Sequence, residues 1–296
     1  MMKTKEDIVF ILNPISGSGK ASACAKYISR LVDKQVYNPK VVYTTGPGNA
    51  KELACEAVEE GVKKIVAVGG DGTINEIGHA LIGTDAALGI VPSGSGNGLA
   101  RHLNIPMNPE KAVALINSNR ERVIDTCSVN DRPFFCTSGV GFDAHIGHLF
   151  SGLKSRGFQG YVSTALKEFF SYVPHAYSIE IEGKTYNVPA FLITFANSAQ
   201  YGNNAYISPE ADICDGLIDV CILSPFPKRD IFNIGYRLFN RSMNRCKHLK
   251  IIRTNKIVLK RKTEGMVHLD GEPLLMGEEL NVTVHPSSLK VLIGNV

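Results

Sequence analysis

A glycine-rich run follows one of the apolar segments of the chain: Gly69-Gly70-Asp71-Gly72-Thr73-Ile74-Asn75-Glu76 comes directly after Ile65-Val66-Ala67-Val68. Glycines let the backbone approach a phosphate group without a Cβ in the way. Thr73 and Glu76 have the spacing of a capping box, which predicts that a helix begins here and offers its N-terminus to an anion. Asp71 would then lie beside the phosphates, where a carboxylate holds Mg²⁺ directly or through water. We interpret the run as a phosphate-binding site rather than a turn with only a packing role.

A second polar loop, Ser93-Gly94-Ser95-Gly96-Asn97-Gly98-Leu99-Ala100-Arg101, follows the apolar residues 88–91. In a doubly wound sheet, the loops at the carboxyl ends of the strands gather at one edge. We therefore expect this loop to lie beside the first glycine-rich run. The two together would form a nucleotide-binding site.

A third loop, Asn13-Pro14-Ile15-Ser16-Gly17-Ser18-Gly19-Lys20, follows the first apolar segment. Its ending is similar to a Walker A loop, but Pro14 stands where the first glycine belongs. Ala21 stands where Ser or Thr should follow the lysine. We therefore exclude a P-loop nucleotide-binding protein, although Asn13 and Ser16 can still contact a nucleotide.

A fourth motif, His268-Leu269-Asp270-Gly271-Glu272-Pro273, occurs late in the chain. Asp-Gly is a strong signal for a two-residue hairpin turn. On composition alone, a hairpin turn is the favoured interpretation. A chemical role for Glu272 needs further support.

The elements that must position the first three motifs alternate between short apolar runs and amphipathic stretches. Predicted strands cover residues 8–12, 40–43, 64–68 and 88–91, and predicted helices cover residues 21–33, 49–61 and 73–82. A β-α-β-α order with short loops predicts a parallel sheet covered by helices. We expect an α/β domain with a doubly wound parallel sheet over residues 1–125, to which the tail 286–296 returns.

Beyond this region the β-like runs become longer and more polar at alternate positions. Predicted strands cover residues 177–181, 185–195, 217–223, 256–259 and 280–284, and predicted helices lie near residues 160–172 and 229–245. Turns such as Glu182-Gly183-Lys184 separate the strands. The pattern predicts a mainly antiparallel β-sandwich domain over residues 126–285.

Taken in order, the four motifs resemble one known family, the diacylglycerol kinase and sphingosine kinase catalytic family with its bacterial soluble lipid kinases. The resemblance covers essentially the whole chain. Further similar segments in the second half are Gly139-Val140-Gly141-Phe142-Asp143 and Asp215-Gly216-Leu217-Ile218-Asp219. The resemblance implies a fold similar to those of NAD kinase and diacylglycerol kinase. It also implies an enzyme that transfers the γ-phosphate of ATP to the hydroxyl of diacylglycerol or a related lipid, with Mg²⁺ as cofactor.

The resemblance also implies roles for individual residues. Glu272 matches the general base that takes the proton from the lipid hydroxyl, and Asp71 matches the residue that supports Mg²⁺ at the phosphates. The residues that match nucleotide-binding positions are Asn13, Ser16, Thr45, Gly69, Gly70, Asp71, Gly72, Thr73, Asn75, Ser95, Gly96 and Asn97. Phospholipid biosynthesis is the metabolic setting that such an enzyme implies.

A structural Mg²⁺ site in the second domain is a further implication of the resemblance. Asp215 and the carbonyl groups of Asp212 and Leu217 match the ligands of this site in bacterial members. Asp125 matches an acidic residue that is linked to the site through water.

One departure from the bacterial diacylglycerol kinase pattern leaves the acceptor open. That pattern usually has Asp after the asparagine of the second loop, whereas this chain has Gly98 and is more similar there to long-chain-base kinases. A sphingoid-base kinase is therefore one alternative. NAD kinase is another, because it also uses a Gly-Gly-Asp-Gly-Thr loop. A non-catalytic lipid- or nucleotide-binding regulator is the third.

The composition is that of an ordinary globular protein: of 296 residues, 44% are hydrophobic and 20% are charged. The formal net charge of +4 is too small to indicate a nucleic-acid partner, and we expect none. Seven scattered cysteines without a CxxC pair indicate reduced thiols and a cytoplasmic protein. No apolar run approaches the roughly 20 residues of a membrane span. A homodimer that forms through an edge strand of the second domain is consistent with the sequence.

A basic segment, residues 228–262, holds twelve Lys or Arg residues and one acid, Asp230. Arg237, Arg241 and Arg245 recur every four residues, so we expect them to share one face of a helix. An aromatic-rich stripe of Phe232, Tyr236, Phe239 and Met243 would lie elsewhere on this helix. One interpretation is transient peripheral contact with an anionic membrane. The other is a solvated basic face over a packed apolar stripe.

Overall fold

The computed structural model describes residues 5–94, 96–151 and 158–294 of the chain. The chain forms two compact units. The first comprises Met1–Ile124 and Ser287–Val296, and the second comprises Asp125–Pro286. The chain thus leaves the first unit, forms the second, and returns.

Strands and helices alternate in the first unit. In chain order its elements are β1 (Glu6–Leu12), α1 (Lys20–Leu31), β2 (Tyr37–Tyr43), α2 (Asn49–Glu59), β3 (Lys64–Gly69), α3 (Asp71–Leu81), β4 (Ala87–Pro92), α4 (Gly98–His102), α5 (Pro109–Ile116) and the start of β5 (Arg120–Val129). The strand order is β2-β1-β3-β4, and all these neighbours are parallel. From β1 the chain moves to β2 on one side and then to β3 and β4 on the other. The sheet is therefore doubly wound, with its switch point between β1 and β3.

The two strands β3 and β4 are almost entirely apolar, as is typical of strands in a parallel sheet that helices cover on both faces. Every residue of β3 and β4 is buried. The one charged residue in β3, Lys64, is only 4% exposed. It forms an ion pair with Glu6, and its ammonium lies 5.5 Å from the centre of the Tyr37 ring. A buried charge in the sheet is thus matched by a carboxylate and an aromatic face.

The second unit is built mainly from antiparallel strands. Its elements are the end of β5, β6 (Arg132–Phe134), β7 (Thr137–Gly141), α6 (Phe142–Ser151), α7 (Phe158–Phe169), β8 (His175–Ile181), β9 (Lys184–Ala190), β10 (Leu192–Ala196), β11 (Ile218–Leu223), α8 (Ile231–Phe239), β12 (Leu249–Thr254), β13 (Lys256–Lys260), β14 (Gly265–Leu269), β15 (Glu272–Met276) and β16 (Glu279–Ile293). One sheet has the order β12-β11-β10-β7-β14-β15. The other contains β16-β13-β8-β9, with β5 beside β16 and β6 beside β5.

Apolar side chains from both sheets form one core between them. The first sheet contributes Val140, Ile193, Phe195, Val220 and Val267, and the second contributes Ile179, Ile257, Leu259, Leu280 and Val282. This is the packing of a β-sandwich. The predicted fold class, an α/β domain with a doubly wound parallel sheet and a mainly antiparallel β-sandwich domain, is confirmed.

The single strand predicted at residues 185–195 is wrong. The structure has two strands there, β9 and β10, which belong to different sheets: β9 pairs with β8, and β10 pairs with β11 and β7. The break falls at Phe191, whose N–H donates to the carbonyl of Leu223 at 2.7 Å. A continuous run of strand-forming residues cannot reveal where a chain passes from one sheet to the next.

The long helix predicted near residues 229–245 is also wrong, because α8 ends at Phe239. Arg241 adopts a left-handed backbone with φ of 50°. The N–H of Ser242 donates to the carbonyl of Arg237 at 3.0 Å, which is the Schellman pattern of a helix end. Arg237, Arg241 and Arg245 therefore do not share a helix face. Met243, which we expected on the aromatic stripe, is buried in the core.

We predict that Gly141→Ala lowers the free energy of unfolding by roughly 2–4 kcal/mol. Gly141 has φ of +100°, and an added Cβ would lie 2.7 Å from the carbonyl oxygen of Phe191. Urea unfolding would measure the change. Gly235→Ala is the matched control, because Gly235 is inside α8 with nothing within 4 Å of the added Cβ. It should stabilise by about 0.5–1 kcal/mol, and equal stability of the two variants would contradict the packing argument.

Candidate active site

The predicted phosphate-binding residues lie at the switch point of the first unit, where β1 and β3 end side by side. Asn13 follows β1, and its N–H donates to the carbonyl of Val68 at 3.0 Å. Its amide Nδ2 donates to Thr73 Oγ1 at 3.3 Å. Asn13 therefore connects the loop after β1 to the first turn of α3. This is the edge at which open α/β sheets bind ligands.

The start of α3 differs from the prediction. The helix begins at Asp71, and its N-cap residue, Gly70, has no side chain with which to cap it. The predicted capping box is wrong: Thr73 Oγ1 accepts from Asn13, and Glu76 accepts from the N–H groups of Gly48 and Ala50 at 2.9 and 3.1 Å. Glu76 thus caps the neighbouring helix α2. Among the described residues, the N-cap position of α3 supplies no side-chain hydrogen bond to the helix.

Asp71 connects the first glycine-rich run to the second. Its Oδ2 accepts from the N–H of Asn97 at 2.7 Å, and its Oδ1 accepts from the N–H of Gly98 at 2.8 Å. The carboxylate therefore caps α4 and fixes the loop after β4 beside the loop after β3. The sequence predicts roles for Asp71 at Mg²⁺ and the phosphates. No spacing in the sequence reveals its contact with the second loop, because the residues are so far apart.

The glycines of these loops allow the two backbones to approach each other. A Cβ on Gly94 would lie 2.7 Å from the Cα of Gly70. A Cβ on Gly96 would lie 2.6 Å from Asp71 Oδ2. The N–H of Ser93 donates to the carbonyl of Gly69 at 2.8 Å. Packing between the loops thus requires glycine at positions 94 and 96, before any ligand is considered.

The other predicted nucleotide-binding residues that the structure describes also lie near the carboxyl ends of the parallel strands. A Cβ on Gly70 would lie 3.6 Å from Ser16 Oγ, so Ser16 borders the start of α3. Thr45 follows β2 and donates through its N–H and hydroxyl to Asn49 Oδ1 at 3.1 and 3.2 Å. Gly72 and Asn75 lie in the first two turns of α3. Ser95 lies outside the described residues.

Glu272 lies in the second unit, on a hairpin whose turn is fixed. Asp270 and Gly271 form the two-residue turn between β14 and β15, with φ of 49° and 90°. The hairpin interpretation is confirmed. The carboxylate of Asp270 accepts from three successive N–H groups, those of Phe135, Cys136 and Thr137, at 2.9, 2.7 and 3.1 Å. Glu272 is the exposed first residue of β15.

A buried polar cluster lies near this hairpin, and the sequence reasoning missed it. Asp143 Oδ2 accepts from Thr194 Oγ1 at 2.9 Å and lies 3.2 Å from His268 Nε2. Tyr201 donates to the same oxygen at 3.3 Å. His268 precedes the turn by two residues on β14, so the cluster holds the hairpin strand to the start of α6. The only sequence signal was the presence of Asp143 and His268 within recognised motifs.

The residues predicted for a structural metal site lie in and beside one loop. Asp125 is 2% exposed, and its Oδ2 accepts from the N–H of Gly216 at 2.7 Å. Asp215 accepts from the N–H of Leu217 at 2.9 Å, and Asp212 accepts from that of Cys214 at 3.1 Å. In the described part of the chain, no group of three or more His, Cys, Asp or Glu side chains could hold a metal ion. The predicted site would depend on carbonyl oxygens instead.

Asp219 borders this loop and is also buried. Burial raises the pKa of its carboxyl, although hydrogen bonds from Ser208 and Arg253 oppose the rise. Ser208 Oγ donates to it at 2.5 Å, and Arg253 Nε lies 3.0 Å away. Arg253 also lies 3.9 Å from Asp215, so it adds positive charge to this region.

Two known protein-family domains match the two halves of the chain. Residues 7–129 match the diacylglycerol kinase catalytic domain. Residues 137–293 match the YegS C-terminal NAD kinase β-sandwich-like domain. The two domains together are those of lipid kinases. The chain belongs to the diacylglycerol kinase and YegS-like lipid kinase family.

Several relatives support this membership. The chain is 32% identical to a YegS-like lipid kinase of Pseudomonas putida over 82% of its own length and 81% of that protein. It is 28% identical to a diacylglycerol kinase of Bacillus subtilis over 93% of both chains. An uncharacterized Synechocystis protein is 27% identical over 97% of this chain, which spans only 65% of that protein. A crystal structure from Bacillus anthracis has the same fold, with a TM-score of 0.82 at 20% identity over 99% of this chain and 97% of that one.

We predict that Asp71→Asn lowers the free energy of unfolding by about 1–3 kcal/mol. An amide offers one acceptor oxygen, so its NH₂ group would face one of the two N–H groups that Asp71 now accepts from. Asp85→Asn is the control, since the Asp85 side chain is 79% exposed and forms a surface ion pair with Lys290. It should change stability by less than about 1 kcal/mol. Urea unfolding that left the two variants equally stable would contradict the role of Asp71 as a connector.

Proposed function

We propose that the protein transfers the γ-phosphate of Mg-ATP to the hydroxyl of a lipid alcohol, with diacylglycerol as the first candidate. Family membership supports the reaction class. The observation that carries the proposal is the pair of glycine-rich loops that Asp71 fixes at the switch point. We assign the nucleotide to residues 1–125 with the tail 286–296, and the lipid to residues 126–285.

The nucleotide residues of the first unit fit a polyphosphate. Gly70, the N-cap residue of α3, has no side chain to cap the helix, and helix N–H groups and their dipole attract anions. Asn13 and Ser16 would add donors at the same edge. In the second loop, Ser93 Oγ is buried without a hydrogen-bond partner among the described residues, which marks one hydroxyl donor there that protein contacts do not use. We propose that Gly69 to Asn75, with Ser95, Gly96, Asn97 and Thr45, complete the binding site.

Asp71 remains suited to support Mg²⁺ at the phosphates. The N–H groups of Asn97 and Gly98 orient its two oxygens, and a carboxylate is a ligand that Mg²⁺ accepts. Bound Mg²⁺ would neutralise charge that develops during phosphoryl transfer. The protein would contribute a carboxylate whose orientation is already fixed.

Glu272 is the proposed general base that takes the proton from the lipid hydroxyl. A carboxylate in this role contributes typically about 10²–10⁴-fold to the rate. The exposure of Glu272 leaves it available to a substrate, and the bonds to Asp270 hold its turn in one conformation. Phosphoryl transfer depends mainly on positioning, so a fixed turn suits this role.

We predict that Glu272→Gln lowers kcat for lipid phosphorylation by about 10²–10⁴-fold. Glutamine keeps the size of the side chain but cannot accept the proton. Glu278→Gln is the control, because Glu278 is also exposed and lies just beyond β15. Both variants would be assayed in detergent micelles with labelled ATP. Wild-type kcat in Glu272→Gln would exclude Glu272 as the base.

We also propose the structural Mg²⁺ site of Asp215, the carbonyl groups of Asp212 and Leu217, and Asp125 through water. Carboxylate, carbonyl and water oxygens are ligands that Mg²⁺ accepts. The contact between Asp125 and Gly216 supports a shared site.

We predict that Mg²⁺ without nucleotide raises the free energy of unfolding of the wild type by about 2.7 kcal/mol at 100 times its Kd. Asp215→Asn should remove most of this gain, because a neutral amide replaces the charged ligand. Asp131→Asn, at an exposed turn, should keep it. Thermal unfolding with and without Mg²⁺ measures the effect. Equal Mg²⁺ gains in all three proteins would exclude the site.

The acceptor is tested with a panel of alcohols. Labelled ATP would be offered with diacylglycerol, a sphingoid base and NAD, and the products resolved by mass. The panel includes a sphingoid base because Gly98 makes the second loop similar to that of long-chain-base kinases. Phosphorylation of NAD alone would overturn the lipid acceptor, and no turnover with any acceptor would favour a non-catalytic regulator.

A further inference from the structure

The helix α8 has two chemically different faces. Ile234 is buried in the core of the second unit, and Ile231 and Leu238 pack against the same core. Phe232, Tyr236 and Phe239 lie on the other side at helical spacing. They are 79%, 66% and 46% exposed. Three large aromatic side chains therefore face outwards from a single helix of nine residues. Such an exposed apolar group is characteristic of an interaction surface.

Basic residues lie before, within and after this helix in the chain. They are Lys228 and Arg229 before α8, Arg237 within it, and Arg241, Arg245 and Lys247 after it. The Arg229 and Lys247 side chains are 87% and 78% exposed. The one acid of this segment, Asp230, is already paired: His248 Nε2 lies 2.8 Å and Lys247 Nζ lies 3.5 Å from it. The surface is therefore strongly positive.

A pocket of about 280 Å³ opens beside α8. Its lining includes Arg237, Arg245, Lys247, His248 and the paired Asp230. Three permanent cations thus face one carboxylate. Arg237 uses its Nε on Asn233 at 2.7 Å and one Nη on the carbonyl of Ser242 at 3.3 Å. Since a guanidinium has five N–H donors, Arg237 retains donors for an anion.

We propose that α8 and these basic residues, together called the α8 surface, dock on a bilayer that contains anionic phospholipids. Phe232, Tyr236 and Phe239 enter the interfacial region, and the pocket accepts a lipid phosphate. This inference rests on the proposed function, because it brings the enzyme to the membrane in which its substrate is dissolved. Among the helices that the structure describes, none is long and apolar enough to span a bilayer.

The chemistry of the surface favours a bilayer over a protein partner. Aromatic side chains with a basic rim are typical of helices that lie in the membrane interface. Each Lys or Arg near an anionic surface strengthens binding by about fivefold. The outward aromatic face projects from a helix whose opposite face is already packed in the core. An acidic protein or a second copy of this chain is an outcome that the test below separates.

Binding to vesicles tests the proposal with the full chain. Wild-type protein should sediment with vesicles of phosphatidylcholine and phosphatidylglycerol at least tenfold more strongly than with phosphatidylcholine alone. Phe232→Ser with Tyr236→Ser should lose most of this binding, and so should Arg229→Gln with Lys247→Gln. The matched controls are Tyr186→Ser on β9 and the pair Arg30→Gln with Lys40→Gln in the first unit. They should bind as the wild type does.

Thermal unfolding checks that each variant is folded, and the charge variant tests the surface even if the aromatic variant fails this check. Equal binding to both vesicle types, or wild-type binding by the charge variant, would overturn the docking surface. So would a dimer that forms through α8 and excludes vesicles, or an acidic peptide that binds while anionic vesicles do not.

Lipid phosphorylation separates this proposal from the function on which it rests. In detergent micelles the α8 variants should have wild-type kcat, whereas on anionic vesicles their activity should fall in proportion to binding. A wild type that binds anionic vesicles but phosphorylates no lipid in micelles would overturn the proposed function and leave the docking surface supported. A wild type active in micelles whose α8 variants are equally active on vesicles would overturn the docking surface alone.

Discussion

Asp71 accepts hydrogen bonds from two backbone N–H groups, and the arrangement of the candidate active site depends on them. It joins the loop after β3 to the loop after β4, so that the start of α3 and the turn into α4 have one fixed arrangement. Glycine at positions 94 and 96 is a consequence, because any Cβ there would meet Gly70 or Asp71 itself. Charge-assisted hydrogen bonds of this kind are stronger than those between neutral groups.

The second unit has the same kind of interaction at the hairpin that carries Glu272. Asp270 accepts three successive N–H groups from Phe135, Cys136 and Thr137, and thereby fixes the turn that precedes Glu272. Both motifs thus contain an aspartate whose carboxylate organises neighbouring backbone N–H groups.

The sequence predicts the layers of this fold well and its long-range contacts poorly. Buried runs and glycine-rich loops indicate the parallel sheet and its functional edge, because these signals are local. The contact of Glu76 with α2 and the network of Asp143 with His268 join residues distant in sequence, which no spacing rule detects. The sequence does not predict the end of α8, because the left-handed position that follows a helix is usually glycine and here it is Arg241.

The strand β16 belongs to both units, and this has a consequence for the biogenesis of the protein. Its early residues pair with β13 in the second unit, while Lys290 and Val291 pair with β4 in the first. The ribosome synthesises β16 after every other described strand. Until β16 has been synthesised, the edges of β4 and β13 that pair with it have unpaired backbone groups. Exposed edges of this kind are prone to aggregation until β16 emerges.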